Sequence, residues 1–396
     1  MTIQPTWNRH TWPFVLPGLL LLITCTQPPT DLPPHPQEVY DTTRATDAPL
    51  VCPFQINIDP MERLLLVNFE NDPETLYLGL EPQFFDDTVN GRGLLVIAWR
   101  TDGRVDVYHE PTLRLDAGKY DIAGKGLGHL VATPMPRATF DINEQGVQAD
   151  IQFSDLHGRA IHLAVHEYNP RQRKPFGLLA PMGDAAEHPS AMPLVLLHDF
   201  YFVRKHKTDI TVRINDRLHQ VDAMPMRMDW VKMYFARYSP DPFIVTLNPA
   251  HDGPLPALDT AALARELSYN GAVPEIAALS RQGERHTIRL QFEPAFPNVT
   301  ALRDEVRLQG TFTMTGHPST GAVSGQYEVT TTGGLTRITL LPDGGWQPET
   351  PKLSLKFLYN VNAMFKQWPA SYRWTAVITE KETGEWWMQS GWERLR

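Results

Sequence analysis

Hydrophobic positions between residues 52 and 248 occur in short runs that are either continuous or alternate with polar residues, and turn residues separate these runs. Leu64 to Phe69 and Leu94 to Trp99 are apolar almost throughout, which is typical of strands buried on both faces. Arg104 to His109 alternates, which predicts a half-exposed strand. This part of the chain is therefore predicted to consist mainly of β-strands.

The hydrophobic period becomes helical after Asp259. Thr260 to Leu267 follows this N-cap aspartate and stops near Asn270, which predicts a short helix. A second helix is predicted to begin at Pro274 and to end before Gly283, because proline loses no hydrogen bond in the first turn of a helix. The two predicted helices mark a joint between two β-rich parts.

The part from residue 284 to residue 396 contains alternating apolar segments connected by turns rich in glycine and proline. The pattern predicts an antiparallel meander, and this number of strands favours a closed or nearly closed barrel that leaves no free edge. The predicted strands are His286 to Phe292, Glu305 to Thr315, Ala322 to Thr331, Leu335 to Leu341, Lys352 to Tyr359, Tyr372 to Thr379 and Trp386 to Trp392.

Composition supports a folded β protein and argues against one class of partner. The chain has 36 Lys and Arg and 45 Asp and Glu, and the resulting net charge of −9 disfavours a surface that binds nucleic acid. Hydrophobic residues make up 42% of the chain, which suffices for a core, and the 35 prolines disfavour helices. We therefore predict an all-β fold of two antiparallel β units, each a lipocalin-like barrel or a sandwich, joined by a short helical segment.

The N-terminus has the pattern of an export signal. The apolar run from Phe14 to Cys25 is shorter than the ~20 residues of a membrane-spanning helix and fits the hydrophobic region of a secretory signal. Leu22 to Cys25 resembles the cleavage box of bacterial lipoproteins, although Thr24 stands where Gly, Ala or Ser is preferred. The resemblance implies that Cys25 carries a lipid such as palmitate and tethers the protein to a membrane of the cell envelope, on its periplasmic or extracellular face. A plain signal peptide with an incidental cysteine and an uncleaved N-terminal anchor are the alternatives.

The proline-rich stretch after Cys25 predicts a semi-rigid polyproline II spacer. Cys52 is the other cysteine of the chain and is expected to be a small apolar core residue. The predicted organisation is a signal peptide at 1–24, a linker at 25–50, an N-terminal β domain at 51–250, a helical connector at 251–283 and a C-terminal meander barrel at 284–396.

The densest group of histidines does not predict a metal site. On one strand, His162 and His166 would lie ~13 Å apart, whereas zinc binds its ligands at about 2.1 Å, and His157 would face the other way. The chain also lacks a nucleophile elbow, a phosphate-binding loop and a zinc-protease motif. We therefore expect no metal and no cofactor.

Residues 196–206 predict the wall of a ligand cavity. Alternation places histidine, phenylalanine and arginine side chains on one face of a strand, and aromatic rings between ionisable groups are typical of binding sites. The segment from Tyr234 to Pro242 adds an arginine that could bind a carboxylate. The predicted ligand-binding residues are His198, Phe200, Tyr201, Phe202, Arg204, Arg237 and Tyr238. An ordinary amphipathic strand pair is the alternative.

Over residues 55 to 396, the chain resembles the two-barrel lipocalin-like proteins that include relatives of carotenoid hydratases. The resemblance lies in the order of the parts, because a large β-rich first half is followed by a meander with aromatic strands. That family holds apolar ligands at or between its barrels, and the resemblance therefore implies a hydrophobic ligand. No catalytic residue is carried over from it.

Three functions follow as hypotheses. The favoured one is an exported, membrane-anchored lipoprotein that binds a small apolar ligand or lipid in a β-barrel cavity. The second is a lipoprotein that contacts a glycan or a protein through exposed aromatic residues such as Trp387. The third is a hydratase- or isomerase-like enzyme in which His198, Asp199 or Asp241 donates a proton within a dry pocket.

Overall fold

The computed structural model describes residues 32–44, 48–59, 61–181, 188–343, 352–361 and 368–395, and β-strands dominate these parts of the chain. The predicted all-β class is confirmed, and one sheet curls into a half-barrel. Closed barrels and a sandwich stay predictions. None of the helices in the described ranges has the length and hydropathy that crossing a membrane requires.

The strands before residue 250 form two sheets. They are β1 (Ile56–Asp59), β2 (Arg63–Asn68), β3 (Tyr77–Asp87), β4 (Gly91–Arg100), β5 (Val105–His109), β6 (Leu127–Ala132), β7 (Arg137–Asn143), β8 (Gly146–Ser154), β9 (Ala160–Glu167), β10 (Phe176–Pro181), β11 (Met192–Arg204), β12 (Thr208–Ile214), β13 (Arg217–His219), β14 (Met233–Ser239) and β15 (Asp241–Leu247).

The remaining strands form a third sheet, and the helices are short. The strands are β16 (His251–Pro254), β17 (Leu267–Asn270), β18 (Val273–Gln282), β19 (Thr287–Phe296), β20 (Arg307–Thr315), β21 (Ala322–Thr332), β22 (Leu335–Pro342), β23 (Tyr372–Glu380) and β24 (Trp386–Arg394). One α-helix, α1 (Leu353–Val361), and 3₁₀ turns at Gln37–Val39, Ala117–Tyr120 and Pro318–Thr320 complete the described elements.

The first sheet is built around the long strand β11. The order β1-β15-β11-β14-β2-β3-β4-β5-β6 is antiparallel except for the parallel pair β5 and β6, and β10 also pairs with β11. The first half of β11 pairs with β15 and its second half with β14. The second sheet has the order β13-β12-β9-β8-β7.

The third sheet confirms the predicted antiparallel meander and begins earlier than expected. Its order is β16-β24-β23-β22-β21-β20-β19-β18-β17. Strands such as β20 and β21 alternate buried and less buried residues, as a sheet with one face on the core requires. Because β16, β17 and β18 belong to it, this sheet starts at His251 and not near residue 284.

The predicted helical connector at 251–283 is wrong. Asp259 does accept hydrogen bonds from the amides of Ala261 and Ala262, as an N-cap would, but the residues after it form only turns. The predicted second helix is strand β18, which pairs with β17 on one side and β19 on the other. Pairing with distant strands has overridden the local helical pattern.

Two predicted strands also differ from the structure. All but the first residue of the predicted strand Lys352 to Tyr359 lies in helix α1, in which Leu355 and Tyr359 are buried four residues apart on one helix face. The strand predicted as half-exposed, β5, is buried along its whole length. Asp106 is tolerated there because Arg100, Tyr77 and His129 surround its carboxylate.

The part of the predicted linker that the structure describes is not a free spacer. Residues 32–44 and 48–52, which we name the N-terminal strap, pack against the third sheet. Tyr40 is 2% exposed, donates a hydrogen bond to the Glu275 carboxylate and forms an isolated bridge with Leu302. Cys52 packs against the core, and burial raises the pKa of its thiol to about 12. Cys25 and the predicted signal peptide lie outside the described residues.

Candidate functional site

The residues predicted to bind a ligand lie in the core of the first sheet. Phe200, Tyr201, Phe202 and Tyr238 are all buried, and Phe200 packs edge to face against Phe176 and Phe202. None of these residues lines either of the two apolar cavities described below. Their rings belong to the hydrophobic core and pack against other buried side chains.

A break in β11 explains why the predicted alternation fails. Asp199 has a φ of 48°, in the left-handed region, and the register with β10 shifts so that Phe176 pairs with Phe200 while Leu178 pairs with Leu197. This irregularity is a β-bulge, which redirects side chains locally. Asp199 is exposed as a result, and His198 lies against the third sheet.

Arg204 connects the first two sheets. Its guanidinium is 1% exposed and forms an ion pair with the buried Glu167 carboxylate at 2.8 Å. It also donates to the backbone carbonyls of Arg171 and Gln145. The guanidinium of Arg204, which was predicted to bind a ligand, therefore donates its hydrogen bonds to acceptors within the protein.

Arg237 belongs to a polar cluster on one face of the first sheet. It donates to Asn68 at 2.6 Å, and burial lowers the pKa of its guanidinium to about 10. On the neighbouring strands, Glu81 is 3% exposed and accepts hydrogen bonds from Gln83 at 2.8 Å and Trp99 at 3.0 Å. Burial raises the pKa of the Glu81 carboxyl.

A cavity of about 280 Å³ opens beside this cluster, and we name it the Tyr120 cavity. Its walls come from β1, β3, β4 and β15 and from the 3₁₀ turn at Ala117–Tyr120. The apolar lining includes Ile58, Ile97, Tyr120, Ile122, Ala191 and Ile244. Its polar groups include Gln83 and the ion pair between Lys119 and Asp59, whose atoms lie 2.6 Å apart.

Little in the amino-acid sequence points to this cavity. Its lining comes from segments far apart in the chain, and only the three-dimensional pairing of β1 with β15 brings Ile58 close to Ile244. One local signal existed. Asp116 caps the amide of Gly118 at 2.9 Å, and an aspartate followed by a glycine two residues later is typical of a turn.

A second cavity, of about 320 Å³, lies between the strap and the third sheet. Cys52, Phe54, Leu255, Leu279 and Met388 contribute its apolar walls. Glu266, Arg281 and His251 also line it, and the Nε2 atom of His251 is buried without a hydrogen-bond partner. This cavity is more polar than the Tyr120 cavity because these three ionisable side chains share it.

Among the described residues, the most exposed aromatic side chain is not Trp387, which the sequence suggested, but Trp230. Trp387 donates its indole N–H to Asp252 at 2.8 Å, and Lys381 lies over its ring. Trp374 and Trp392 are buried. In contrast, Trp230 is 88% exposed, in a turn between β13 and β14.

Helix α1 begins close to the Trp230 turn. Asp229, which precedes Trp230, lies 3.9 Å from the ammonium group of Lys352. Lys352 in turn precedes Leu353, which is also largely exposed. Two exposed apolar side chains therefore flank one ion pair, and we name Trp230, Leu353 and Lys352 the Trp230 patch.

A cluster of histidines lies where β11, β15 and the third sheet meet. The rings of His198 and His286 stack with centroids 3.7 Å apart, and His286 Nε2 lies 2.9 Å from the Asp241 carboxylate. Among the described residues, these three side chains are the group whose ligand atoms come close enough together to hold a metal ion. The histidines that the sequence had drawn attention to lie elsewhere: His162 contacts Asp150 and His166 stacks on Tyr168.

The acids suggested for proton donation are not in an apolar cavity. Asp199 is exposed, and Asp241 forms an ion pair with Arg285 at 3.1 Å. Neither residue lines the Tyr120 cavity or the second cavity. These positions remove the motivation for an enzyme that uses either acid in a dry pocket.

Comparison with known protein families, curated proteins and solved structures finds no match to this chain.

Proposed function

We propose that the protein is an exported, membrane-tethered protein that binds a small apolar molecule in the Tyr120 cavity. The observation that carries the proposal is the lining of this cavity, in which isoleucine, alanine and tyrosine side chains surround a few polar groups. Apolar walls with a small number of orienting polar groups are typical of binding sites for small molecules.

The size of the cavity limits the ligand. About 280 Å³ lies just below the range of ~300–1,000 Å³ that is usual for ligand pockets. We therefore propose a short acyl chain or a molecule of similar size. Lys119 supplies a cation for a carboxylate head group, which would compete with Asp59 for the same ammonium group.

The export and the tether rest on the N-terminal sequence. The apolar run and the lipoprotein-like box ending at Cys25 support them, and both precede the described residues. Replacing Cys25 by serine is expected to move the protein from the membrane fraction to the soluble fraction of cells. Unchanged membrane fractionation of this variant, together with no incorporation of labelled palmitate into the native chain, would contradict the tether.

The binding proposal is tested by filling the cavity. Ala191 is buried in its wall, so Ala191→Phe places a ring in the space that the ligand would occupy. We expect this substitution to weaken the binding of a fluorescent fatty acid by at least tenfold, about 1.4 kcal/mol of binding free energy. Ala138→Phe introduces the same ring at a half-buried position of β7 that does not line the cavity, and binding should be unchanged. No saturable binding by the native protein, or equal binding by both variants, would refute the proposal.

A second candidate function is contact with a membrane surface through the Trp230 patch. Tryptophan has a large apolar area and a polar N–H, which suits the region between lipid chains and water, and the exposed Leu353 adds a second apolar side chain beside it. Trp230→Ser is expected to reduce co-sedimentation with anionic vesicles, whereas Trp387→Ser should not. Equal co-sedimentation of the two variants would eliminate this candidate.

A further inference from the structure

The His198, Asp241 and His286 side chains converge from different parts of the chain. His198 lies on β11, Asp241 is the first residue of β15, and His286 directly precedes β19 of the third sheet. One nitrogen from each imidazole and one oxygen of the carboxylate all lie within 4.8 Å of one another. This arrangement is independent of the Tyr120 cavity, whose lining includes none of the three residues.

His198 presents a lone pair that the protein does not use. Its Nδ1 atom lies 3.2 Å from the backbone carbonyl of Asp241, and since a carbonyl can only accept, Nδ1 carries the proton. In the neutral ring, Nε2 is then an acceptor. That atom is buried without a hydrogen-bond partner in a side chain that is only 8% exposed.

The protonation state of His198 suits a ligand to a metal ion. With the proton on Nδ1, the ring keeps a lone pair on Nε2 that a cation can bind. Metal-binding histidines usually donate their other N–H to a carbonyl or carboxylate, which fixes the ring, and His198 already does so. A buried acceptor without a partner destabilises the folded protein, and a bound cation would remove that cost.

The other two residues supply a second nitrogen and an anionic oxygen. The 2.9 Å contact between His286 Nε2 and Asp241 Oδ2 holds a proton that a metal ion can replace. The other carboxylate oxygen lies 3.1 Å from the Arg285 guanidinium. Arg285 fixes the orientation of the carboxylate, and its positive charge lowers the affinity of the site for a cation.

Metal binding requires the cluster to contract. In a tetrahedral zinc site with ligands at ~2.1 Å, neighbouring ligand atoms lie about 3.4 Å apart, so atoms that now lie within 4.8 Å of one another approach by up to about 1.4 Å. His317 is close to His198 but is not a fourth ligand in this conformation. Its Nδ1 accepts a hydrogen bond from the Ser319 amide, which leaves the proton on its Nε2.

From this geometry we propose that His198, Asp241 and His286 bind one divalent transition-metal ion, with zinc as the expected ion. Two histidines and one carboxylate leave coordination positions open to water or to a substrate, as in catalytic zinc sites and in non-haem iron sites. The ion would also connect the first sheet to the third.

The test uses the full chain after treatment with a chelator. Titration with Zn²⁺ in a calorimeter should give one saturable site, and Co²⁺ should give the visible absorption bands of a site with nitrogen and oxygen ligands. The melting temperature should rise with the concentration of Zn²⁺, since an ion that binds only the folded state stabilises it. The absence of saturable binding would overturn the proposal.

Three variants locate the site. We expect Asp241→Asn and His286→Gln each to weaken zinc binding by at least tenfold. His166→Gln changes an exposed histidine of β9 that stacks on Tyr168, and it should leave binding unchanged. Native affinity in folded Asp241→Asn and His286→Gln proteins would overturn the assignment, and so would a loss of binding in His166→Gln.

A measurement on the native chain does not depend on the stability of any variant. Bound Co²⁺ should shift two exchangeable imidazole N–H proton resonances far from their usual positions, one from each ligand histidine. The absence of such resonances in a cobalt-saturated sample would contradict histidine ligation.

Discussion

Trp230 has a backbone conformation that bulky residues rarely adopt. It follows Asp229 in a two-residue turn, and both residues have positive φ angles, of 49° and 65°. Such type I′ turns favour asparagine and glycine, since a side chain in the left-handed region costs about 1–2 kcal/mol. A strained and exposed tryptophan is a reason to look for a function at this turn.

Replacing Trp230 by glycine should therefore stabilise the fold. We expect Trp230→Gly to raise the free energy of unfolding by about 1 kcal/mol, measured by urea denaturation. Tyr269→Gly is the matched control, because Tyr269 is also an exposed aromatic residue but lies in strand β17. Glycine there should lower the free energy of unfolding by roughly 0.5–1 kcal/mol. Equal losses in the two variants would contradict the strain at Trp230.

Removing one partner of the buried ion pair between Arg204 and Glu167 should destabilise the protein far more than removing one partner of an exposed ion pair. Arg204→Met leaves the Glu167 carboxylate buried without its cation, and we expect a loss of about 3–5 kcal/mol in the free energy of unfolding. Arg307→Met removes the equivalent partner from the exposed pair with Glu328, and the loss should be below about 1 kcal/mol. Similar losses for the two variants would show that burial does not control the contribution of Arg204.

At the scale of elements, the N-terminal strap depends on a neutral histidine. His35 is buried, its Nε2 lies 3.0 Å from the Tyr327 hydroxyl, and that hydroxyl donates to the Pro294 carbonyl. The imidazole therefore donates to the tyrosine oxygen. Burial lowers the pKa of His35 below its usual 6.5.

This pKa shift predicts a direction for the effect of pH on stability. The unfolded chain binds a proton at His35 near pH 6.5, whereas the folded chain binds it only at a lower pH. The contribution of neutral His35 to the free energy of unfolding is therefore complete above pH 6.5, and it declines as the pH falls toward the lowered pKa of the folded state. His35→Asn should reduce the loss of stability between pH 7.5 and pH 5.5, measured by urea denaturation. His157→Asn, at an exposed position, should leave the pH dependence as in the native protein. An unchanged pH dependence in His35→Asn would contradict the prediction.

Strands with a clear alternation of apolar and polar residues could be predicted from the sequence. Elements whose structure depends on pairing with distant strands could not. The alternating residues of β20 and β21 gave the meander because one face of each strand packs on the core. Strand β18 has a helical pattern locally, and its pairing with β17 and β19 became visible only in the fold. The bulge at Asp199 was equally hidden, because it arises from a register shift between paired strands.

At the scale of the whole molecule, the three sheets share one hydrophobic core. Residues from each of them, such as Val67, Ile151 and Ile338, belong to a single contiguous cluster of buried side chains. Trp392 of the third sheet donates its indole N–H to the carbonyls of Leu247 and Asn248 at the end of the first sheet. The candidate sites, in contrast, are lined by residues from distant segments that only this assembly brings together, which is why the sequence pattern did not predict them.

A shared core predicts cooperative unfolding. We expect tryptophan fluorescence, which reports mainly on the third sheet, and far-ultraviolet circular dichroism, which reports on all sheets, to give coincident urea transitions. Trp392→Phe should shift both transitions together to lower urea. Two separate transitions in the native protein would show that the sheets unfold independently.

The docked strap also sets the reach of the proposed tether. If Cys25 carries the lipid, only the few residues before Leu32 separate the acyl chain from the packed part of the protein, and even fully extended they span roughly 25 Å. The folded part of the protein would then stay next to the bilayer, so that a molecule leaving it is released beside the lipid.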